Sequence, residues 1–221
     1  NLNMYANDTL RNMQYKQTNF TLSLAAPAIN LNSPANNSWK NNNSIDFNFT
    51  ATDSDGIDSC RSFSNSTGTW HNNQTINSIS SGVEKSFNSV LSDGGHLWNV
   101  QCNDTFGNSA FALKNFTINV DTIFPNVSIT SIATSAGSQT ITVNNTVLDT
   151  NVGTCKYTIF NSTGGIDGIS NNITFTCNSS FSATATAFSI YDLTIYATDL
   201  AGNLNTTTST LNLSAAGVIV L

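Results

Sequence analysis

The chain contains an internal repeat of about 95 residues, and no other feature constrains its fold as strongly. Residues 98–120 recur as residues 193–215, and residues 2–24 show the same pattern 96 positions before residues 98–120. Each copy has alternating apolar and polar residues on both sides of a turn rich in Asp and Asn, a pattern typical of paired β-strands. Repetition at this period indicates a tandem array of similar modules.

Features upstream of this strand pair extend the repeat to a whole module. Cys60 aligns with Cys155, and Pro27 and Pro125 each follow the last strand of the preceding copy. Proline fixes φ and cannot donate a ladder hydrogen bond, so it suits a hinge between modules. We therefore expect the last two strands of a preceding module, or a donated hairpin, in residues 1–25, complete modules in 26–121 and 122–214, and a linker or the first strand of a next module in 215–221. Such a chain is a piece of a longer array or one unit of a polymer.

The strands predict the fold class. Ile45, Phe47, Phe49 and Ala51 alternate with polar residues, which places them on one face of a strand. Short alternating segments, frequent turn signals and no helical period predict an all-β chain of tandem immunoglobulin-like antiparallel β-sandwich domains. The Cys–Trp–Cys spacing of antibody domains is absent, so this prediction concerns architecture.

Three short motifs resemble those of a known group of proteins. They are YATDLAGN at residues 196–203, DTIFP at residues 121–125 and GIDSC at residues 56–60. They resemble the tandem Ig-like repeats of archaeal and bacterial cell-surface proteins, and the resemblance covers nearly the whole chain. It implies a scaffold of the cell envelope, of a filament or of an adhesive protein, without choosing among them.

The composition excludes some partners. The chain has 7 Lys and Arg and a net charge of -6, so it has no basic surface for nucleic acid or anionic lipid. Its apolar segment at residues 215–221 is far shorter than the roughly 20 residues that span a bilayer, so we expect no membrane insertion within this chain. Only 9% of residues are charged, whereas Asn, Ser and Thr make up about two-fifths. Another group must therefore keep the surface soluble.

The four cysteines indicate the compartment. The first cysteine of each module is Cys60 or Cys155, but the second differs: the first module has Cys102, and the second has Ala197 at that position and Cys177 on an earlier strand. This exchange predicts one disulfide in each module, Cys60–Cys102 and Cys155–Cys177. Without CxxC spacing a zinc site is disfavoured, and four buried free thiols are the alternative. Disulfides indicate an extracellular, cell-surface protein.

Asn-x-Ser/Thr sequons are nearly twice as frequent as the roughly nine that chance predicts for this composition. The sixteen acceptors are Asn7, Asn19, Asn36, Asn42, Asn48, Asn65, Asn73, Asn103, Asn115, Asn126, Asn144, Asn161, Asn172, Asn178, Asn205 and Asn212. Many read Asn-apolar-Thr/Ser, so on a strand the apolar residue faces the core and the acceptor faces solvent. We expect N-linked glycans to supply the missing solubility, best at Asn48, Asn115, Asn126 and Asn172. The alternative is that alternating strands rich in Asn and Thr produce such triplets without glycosylation.

Sites for metal or catalysis are few. Asp53, Asp55 and Asp58 surround a glycine in a pattern that Ca²⁺ could use, but an ordinary Asx turn explains the same residues, and we expect no other cofactor. The two histidines, His71 and His96, and the single Glu84 form no catalytic motif, so the chain is predicted not to be an enzyme.

Two functions fit these observations. The first is a structural extracellular protein: a glycosylated surface filament, stalk or S-layer-like array whose partners are copies of itself. The alternative is an adhesin or receptor ectodomain that binds glycan or protein through loops at one end of a sandwich. Binding loops are typically rich in Tyr, Trp and Arg, whereas the loops here are mostly Asn, Ser, Thr and Gly, which favours the structural role.

Overall fold

The computed structural model describes residues 2–19, 24–162 and 170–221, and every regular element in this part of the chain is a strand. The strands are β1 (Leu2–Asn7), β2 (Met13–Thr18), β3 (Ala28–Ser33), β4 (Ser38–Lys40), β5 (Ser44–Thr52), β6 (Ile57–Ser64), β7 (His71–Ile79), β8 (Glu84–Val90), β9 (Gly94–Asp104), β10 (Ser109–Phe111), β11 (Phe116–Val120), β12 (Asn126–Ala133), β13 (Thr140–Leu148), β14 (Val152–Asn161), β15 (Ser170–Phe175), β16 (Phe181–Thr184), β17 (Ile190–Asp199), β18 (Leu204–Ser214) and β19 (Gly217–Val220).

These strands form five sheets. Three strands make the sheet β3-β5-β8, and the sheet β4-β11-β9-β6-β7 carries β10 beside β9. The sheets β12-β13-β16 and β15-β14-β17-β18-β19 follow, and β1 and β2 form a separate hairpin. The predicted all-β, antiparallel immunoglobulin-like class is confirmed, with one local exception: β4 runs parallel to β11.

The chain divides into two compact units, the first comprising residues 1–33, 47–87 and 98–115. Its core joins the sheet β3-β5-β8 to the sheet that contains β6 and β9. Phe47 on β5 lies 4.7 Å, between ring centroids, from Trp98 on β9, and Phe49 stacks on Phe87 of β8 at 5.2 Å. Two sheets with aromatic side chains between them form the sandwich that strand alternation predicts.

The second unit comprises residues 34–46, 88–97 and 116–221. Its core lies between the sheet β12-β13-β16 and the sheet centred on β14 and β17, where Tyr157 stacks on Phe181 with centroids 4.1 Å apart. Ile159, Leu193 and Ile195 are fully buried in the same cluster. Residues 217–220, predicted as a linker or a new module's first strand, instead pair antiparallel with β18, because Gly217 at φ 130° allows the chain to reverse after Ser214.

The hairpin β1–β2 repeats the closing strands of the modules without their burial. Leu2 and Met4 are about half exposed, whereas the residues that align with them, Trp98 and Val100, are buried. A ring contact of 5.3 Å between Tyr5 and Tyr15 joins the two strands. The predicted boundaries 1–25, 26–121 and 122–214 remain a proposal, and residues 20–23 lie outside the described part of the chain.

Candidate functional site

Both predicted disulfides are present, and each one closes within a module. Cys60 and Cys102 occupy directly paired positions on β6 and β9, with their Cα atoms 4.0 Å apart. Cys155 on β14 joins Cys177, which follows β15, across a Cα–Cα distance of 5.4 Å. All four cysteines of the chain are therefore in disulfides, and each bridge links neighbouring segments of one sheet.

The repeated Asp-rich turns are held by one hydrogen-bond pattern. In the first complete module Asp104 accepts the backbone N–H groups of Phe106 and Asn108 through Oδ1, and the side-chain amide of Asn108 through Oδ2. Burial disfavours the charged form of Asp104, but these hydrogen bonds outweigh it, so the pKa of the carboxyl lies below its ordinary 3.8. The pKa of Asp8 is lowered chiefly by the side-chain amide of Asn12.

The predicted Asp53, Asp55 and Asp58 group forms only in part. Oxygens of Asp53, Asp55 and Asp104 lie within 4.8 Å of one another, while Asp58 is exposed on β6 and is not part of the group. Strand alternation turns Asp58 away, and the Asx turn at the end of β9 brings Asp104 in. The carboxylate of Asp53 also accepts the backbone N–H of Asp55 at 2.8 Å, so the loop uses this carboxylate to fix its own backbone.

A second carboxylate group, which the sequence did not predict, lies in the second unit. It consists of Asp121, Asp149 and Asp199, with one oxygen from each within 4.8 Å of the others. Asn151 donates its side-chain amide to Asp121 at 2.8 Å, and Asn203 donates to Asp199 at 2.7 Å. The recurrence of Asp104 as Asp199, together with Asp121 in the linker, was the available signal. Both groups offer hard oxygen ligands, and nearby N–H groups already donate to Asp53, Asp104, Asp121, Asp149 and Asp199 within them.

The sixteen sequon asparagines are all at least partly accessible. Ten are exposed and six are half-buried, the latter being Asn48, Asn65, Asn73, Asn103, Asn161 and Asn212. The predicted alternation holds at Asn126, where Val127 is buried, but fails at Asn172, where Ile173 is 44% exposed. Asn172 has φ 58° at a register shift between β14 and β15, so the strand is locally distorted there. The sequon of Asn161 extends into residues outside the described part.

At least four sequon asparagines use their side-chain Nδ2 as a hydrogen-bond donor within the fold. Asn178 accepts the backbone N–H of Val147 at 2.6 Å and donates Nδ2 to the Val147 carbonyl at 3.0 Å, which replaces a strand partner. The Nδ2 groups of Asn73, Asn144 and Asn205 donate to Ser64, Ser131 and the Pro125 carbonyl. Nδ2 is the atom that carries an N-linked glycan. These glycosylation sites therefore differ from sequons whose Nδ2 makes no hydrogen bond to the protein.

Aromatic side chains line an open cleft on the outer face of β6 in the first unit. Cys60, Ser62 and Ser64 of β6 face inward, so Phe63 faces outward, where Phe111 of β10 meets it edge-on at 4.9 Å and Trp70 stacks at 6.1 Å. Asn99, Ala112, Leu113 and Asn115 complete a cleft of about 370 Å³ with Trp70 and Phe111. The sequence did not predict this arrangement.

The residues considered for catalysis make structural contacts. Glu84 accepts the side-chain amide of Asn32, a ring nitrogen of His71 lies 2.8 Å from the Thr69 carbonyl, and one of His96 lies 2.8 Å from the Ser92 carbonyl. Nδ1 of His71 also lies 3.3 Å from Oγ1 of Thr67, but a ring nitrogen that donates to the Thr69 carbonyl cannot accept the hydroxyl proton. The described residues include no helix long and apolar enough to cross a membrane.

Proteins similar to this chain are found among solved structures. No protein-family model matches the chain, and no curated protein sequence matches it. A tetra-tandem repeat from the extending region of a large adhesion protein is similar over 96% of this chain, at 19% identity and a TM-score of 0.45. This chain spans 55% of that structure's length.

Two further solved structures are similar. The FN1–FN3 domains of chicken CNTN1 match at 14% identity and a TM-score of 0.47, over 96% of this chain and 74% of theirs. A Ca²⁺-stabilized adhesin that helps an Antarctic bacterium bind ice matches at 16% identity and a TM-score of 0.43, over 96% of this chain and 55% of the adhesin.

Proposed function

We propose that this chain is a structural segment of an extracellular filament, stalk or S-layer-like array, built from glycosylated immunoglobulin-like modules. The observation that carries the proposal is the repetition of one module at a spacing of about 95 residues, each copy closed by its own disulfide. Repeated units that each have a core and a covalent bridge suit a role in spacing and load transmission. Disulfides persist outside the reducing cytosol, which supports the extracellular location.

The exposed strand pair supports assembly into an array. In the complete modules, the face that corresponds to Leu2 and Met4 is buried against a second sheet. A two-stranded hairpin alone is marginally stable in water. The hairpin β1–β2 is therefore stabilised when other strands cover its apolar face. We propose that these strands come from a further module of the same kind, in this polypeptide or in a second copy.

A glycan layer fits the unusual surface. Ten sequon asparagines are exposed, and charged residues make up only 9% of the chain. Covalently attached sugars would supply hydration and cover exposed strand edges such as β7.

Imaging of the native material tests the structural role. Cryo-electron microscopy of surface material from the source cells, combined with immunogold labelling, is expected to show the chain in extended, regularly repeating assemblies. Peptide mapping of the same material without reduction should recover Cys60–Cys102 and Cys155–Cys177. A protein recovered from the cytosol, with free thiols and as a single particle, would contradict the proposal.

A further inference from the structure

The outer-face cleft of the first unit contains a sequon asparagine. Asn115 lines the cleft together with Trp70, Phe111 and Leu113. Trp70 and Phe111 are each 41% exposed and Leu113 is fully exposed, so three large apolar side chains meet solvent around one sequon. Large apolar side chains that are exposed together in a cleft mark a candidate binding site.

The amide of Asn115 is held in a defined orientation. Asn99, which is 3% exposed, donates Nδ2 to Asn115 Oδ1 at 2.8 Å and to the Ala112 carbonyl at 3.1 Å. Asn99 is itself fixed, because its Oδ1 accepts the backbone N–H of Val100 at 2.7 Å. The carbonyl oxygen of Asn115 is thus committed to the protein, and among the described residues its Nδ2 donates no hydrogen bond. The atom that accepts a glycan is left available at the edge of the cleft.

The chemistry of the cleft suits a sugar ring. A pyranose ring has apolar C–H faces that pack on aromatic side chains, and hydroxyl and acetamido groups around its rim that remain hydrated. Pockets for small ligands combine apolar walls with a few fixed polar groups in this way. At about 370 Å³ the cleft has room for one or two sugar rings. Its openness to solvent suits a chain that continues outward.

We propose that the first sugar of a glycan attached to Asn115 packs in the cleft against Trp70 and Phe111, with Asn99 as the positioning residue that directs the Asn115 amide. This inference rests on the proposed glycan layer and adds a specific role for one glycan. The sugar covers the exposed apolar patch and makes the modification part of the module's packing. The source of the carbohydrate is the chain's own modification, not a glycan of a partner.

A comparison of glycosylated variants tests the contact. The full chain is produced in a secretory host that attaches N-linked glycans, and occupancy at every sequon is measured by glycopeptide mass spectrometry. Asn115→Gln, Trp70→Ala and the double variant are then compared in urea unfolding. We expect Trp70→Ala to change the unfolding equilibrium constant roughly two- to tenfold more when Asn115 carries sugar than in the Asn115→Gln background. Sugar protons at Asn115 should also shift upfield in NMR spectra, because they lie over aromatic rings.

The role of Asn99 is tested separately. Thr194 occupies the equivalent position in the other module, so Asn99→Thr introduces a residue that this fold accommodates. We expect this variant to keep its far-UV circular dichroism and the occupancy of Asn126, while the upfield shifts at Asn115 disappear. Unchanged sugar shifts in a folded Asn99→Thr protein would overturn the positioning role.

The outcomes separate this inference from the broader proposal. If no sequon carries sugar in native material, the glycan layer itself is wrong. If Asn126 is occupied but Asn115 is bare, or if the Asn115 sugar shows unperturbed shifts and no coupling to Trp70, only the present inference is overturned. A glycan of a partner is the other possible source of the sugar. Titration of unglycosylated protein with N,N′-diacetylchitobiose, with Trp70→Phe as the fluorescence control, tests whether the cleft binds such a glycan. Saturable binding together with a bare Asn115 in native material would assign the cleft to a partner's carbohydrate and overturn the attachment.

Discussion

Asn108 donates its side-chain amide to Oδ2 of Asp104 at 2.7 Å, while its backbone N–H bonds Oδ1 of the same carboxylate. Asn12 and Asp8 form the same pair of bonds in the hairpin β1–β2, as do Asn203 and Asp199 in the second complete module. Each pair closes the turn between the strands that end a module. One Asp and one Asn, four residues apart, therefore fix the register of the closing strands in every copy of the repeat.

Replacing Asp199 with Ala should destabilise the second unit by about 1–3 kcal/mol, because the buried amide of Asn203 and its backbone N–H lose a charged acceptor. Urea unfolding monitored by circular dichroism measures the difference. Asp58→Ala serves as the control: Asp58 is exposed, and its loss should change stability by less than about 0.5 kcal/mol. Equal effects of the two substitutions would show that the turn does not depend on its carboxylate.

Because the pKa of Asp104 is lowered, its contribution to the stability of the protein should be lost on acidification. Its folded pKa lies below the ordinary 3.8, so the stability it contributes is complete above that value and is lost as pH falls through the folded pKa. Wild type should exceed Asp104→Asn in stability at pH 5–7, and this difference should shrink below pH 3.8. Urea unfolding midpoints of both proteins, taken across this pH range, measure the difference in stability. A difference that grows on acidification would contradict the hydrogen bonds assigned to Asp104.

Loss of either disulfide should destabilise its own module. The bridges close loops with sequence separations of 42 and 22 residues, for which chain entropy predicts about 3.9 and 3.4 kcal/mol. Paired Cys→Ala variants, Cys60/Cys102 and Cys155/Cys177, should therefore each lower the unfolding free energy by similar amounts. Cys→Ala at both positions avoids leaving a reactive thiol. If removal of the second bridge left every unfolding transition unchanged, the stabilising role of Cys155–Cys177 would be wrong.

How much of the fold and of the candidate sites could be predicted depended on how far apart the interacting residues lie in the sequence. The closing strands were predictable because alternation and turn residues are local signals, and the disulfides were predictable because Cys177 replaces the missing partner at Ala197. The group of Asp121, Asp149 and Asp199 was missed, since only the fold brings a linker residue beside two turns.

The cleft around Asn115 was missed for a related reason. The contact between Asn99 and Asn115 depends on how the segment after β10 turns back toward β9, and no periodic pattern encodes that path. Trp70 lies in a loop and contacts Phe63 of β6, and Phe63 in turn contacts Phe111 of β10. Single-sequence patterns could show each residue as exposed or alternating, but not that the three rings meet.

Sequon occupancy should follow the hydrogen bonds of each amide. Asn178 holds Val147 through both of its side-chain atoms and has φ 61°, whereas Asn126 is exposed at the start of β12. We expect Asn126 to be glycosylated and Asn178 to remain largely bare in glycopeptide analysis of native protein. Asn178→Ala should cost about 1–3 kcal/mol through lost hydrogen bonds and a strained backbone, and Asn126→Gln almost nothing. Full occupancy at Asn178 would show that the Val147 contacts yield to modification.

Deleting the hairpin should reveal what covers it. The exposed face of Leu2 and Met4 corresponds to a face that is buried in the complete modules, so the full chain should self-associate or bind other copies through this segment. A chain that begins at Ala26 keeps both cores and serves as the matched control. We expect sedimentation velocity to show higher-order species for residues 1–221 that are absent for residues 26–221.

Hydrogen exchange then distinguishes how the hairpin is covered. In an assembled state the amides of β1 and β2 should exchange slowly, because their ladder bonds and apolar face are shielded from water. Diluting the protein to nanomolar concentration should release this protection if the covering strands belong to a second copy, and a Leu2→Asp, Met4→Asp double variant should remove both association and protection. If the full chain stays monomeric and β1–β2 exchange as fast as an unfolded peptide, self-association through the hairpin is excluded.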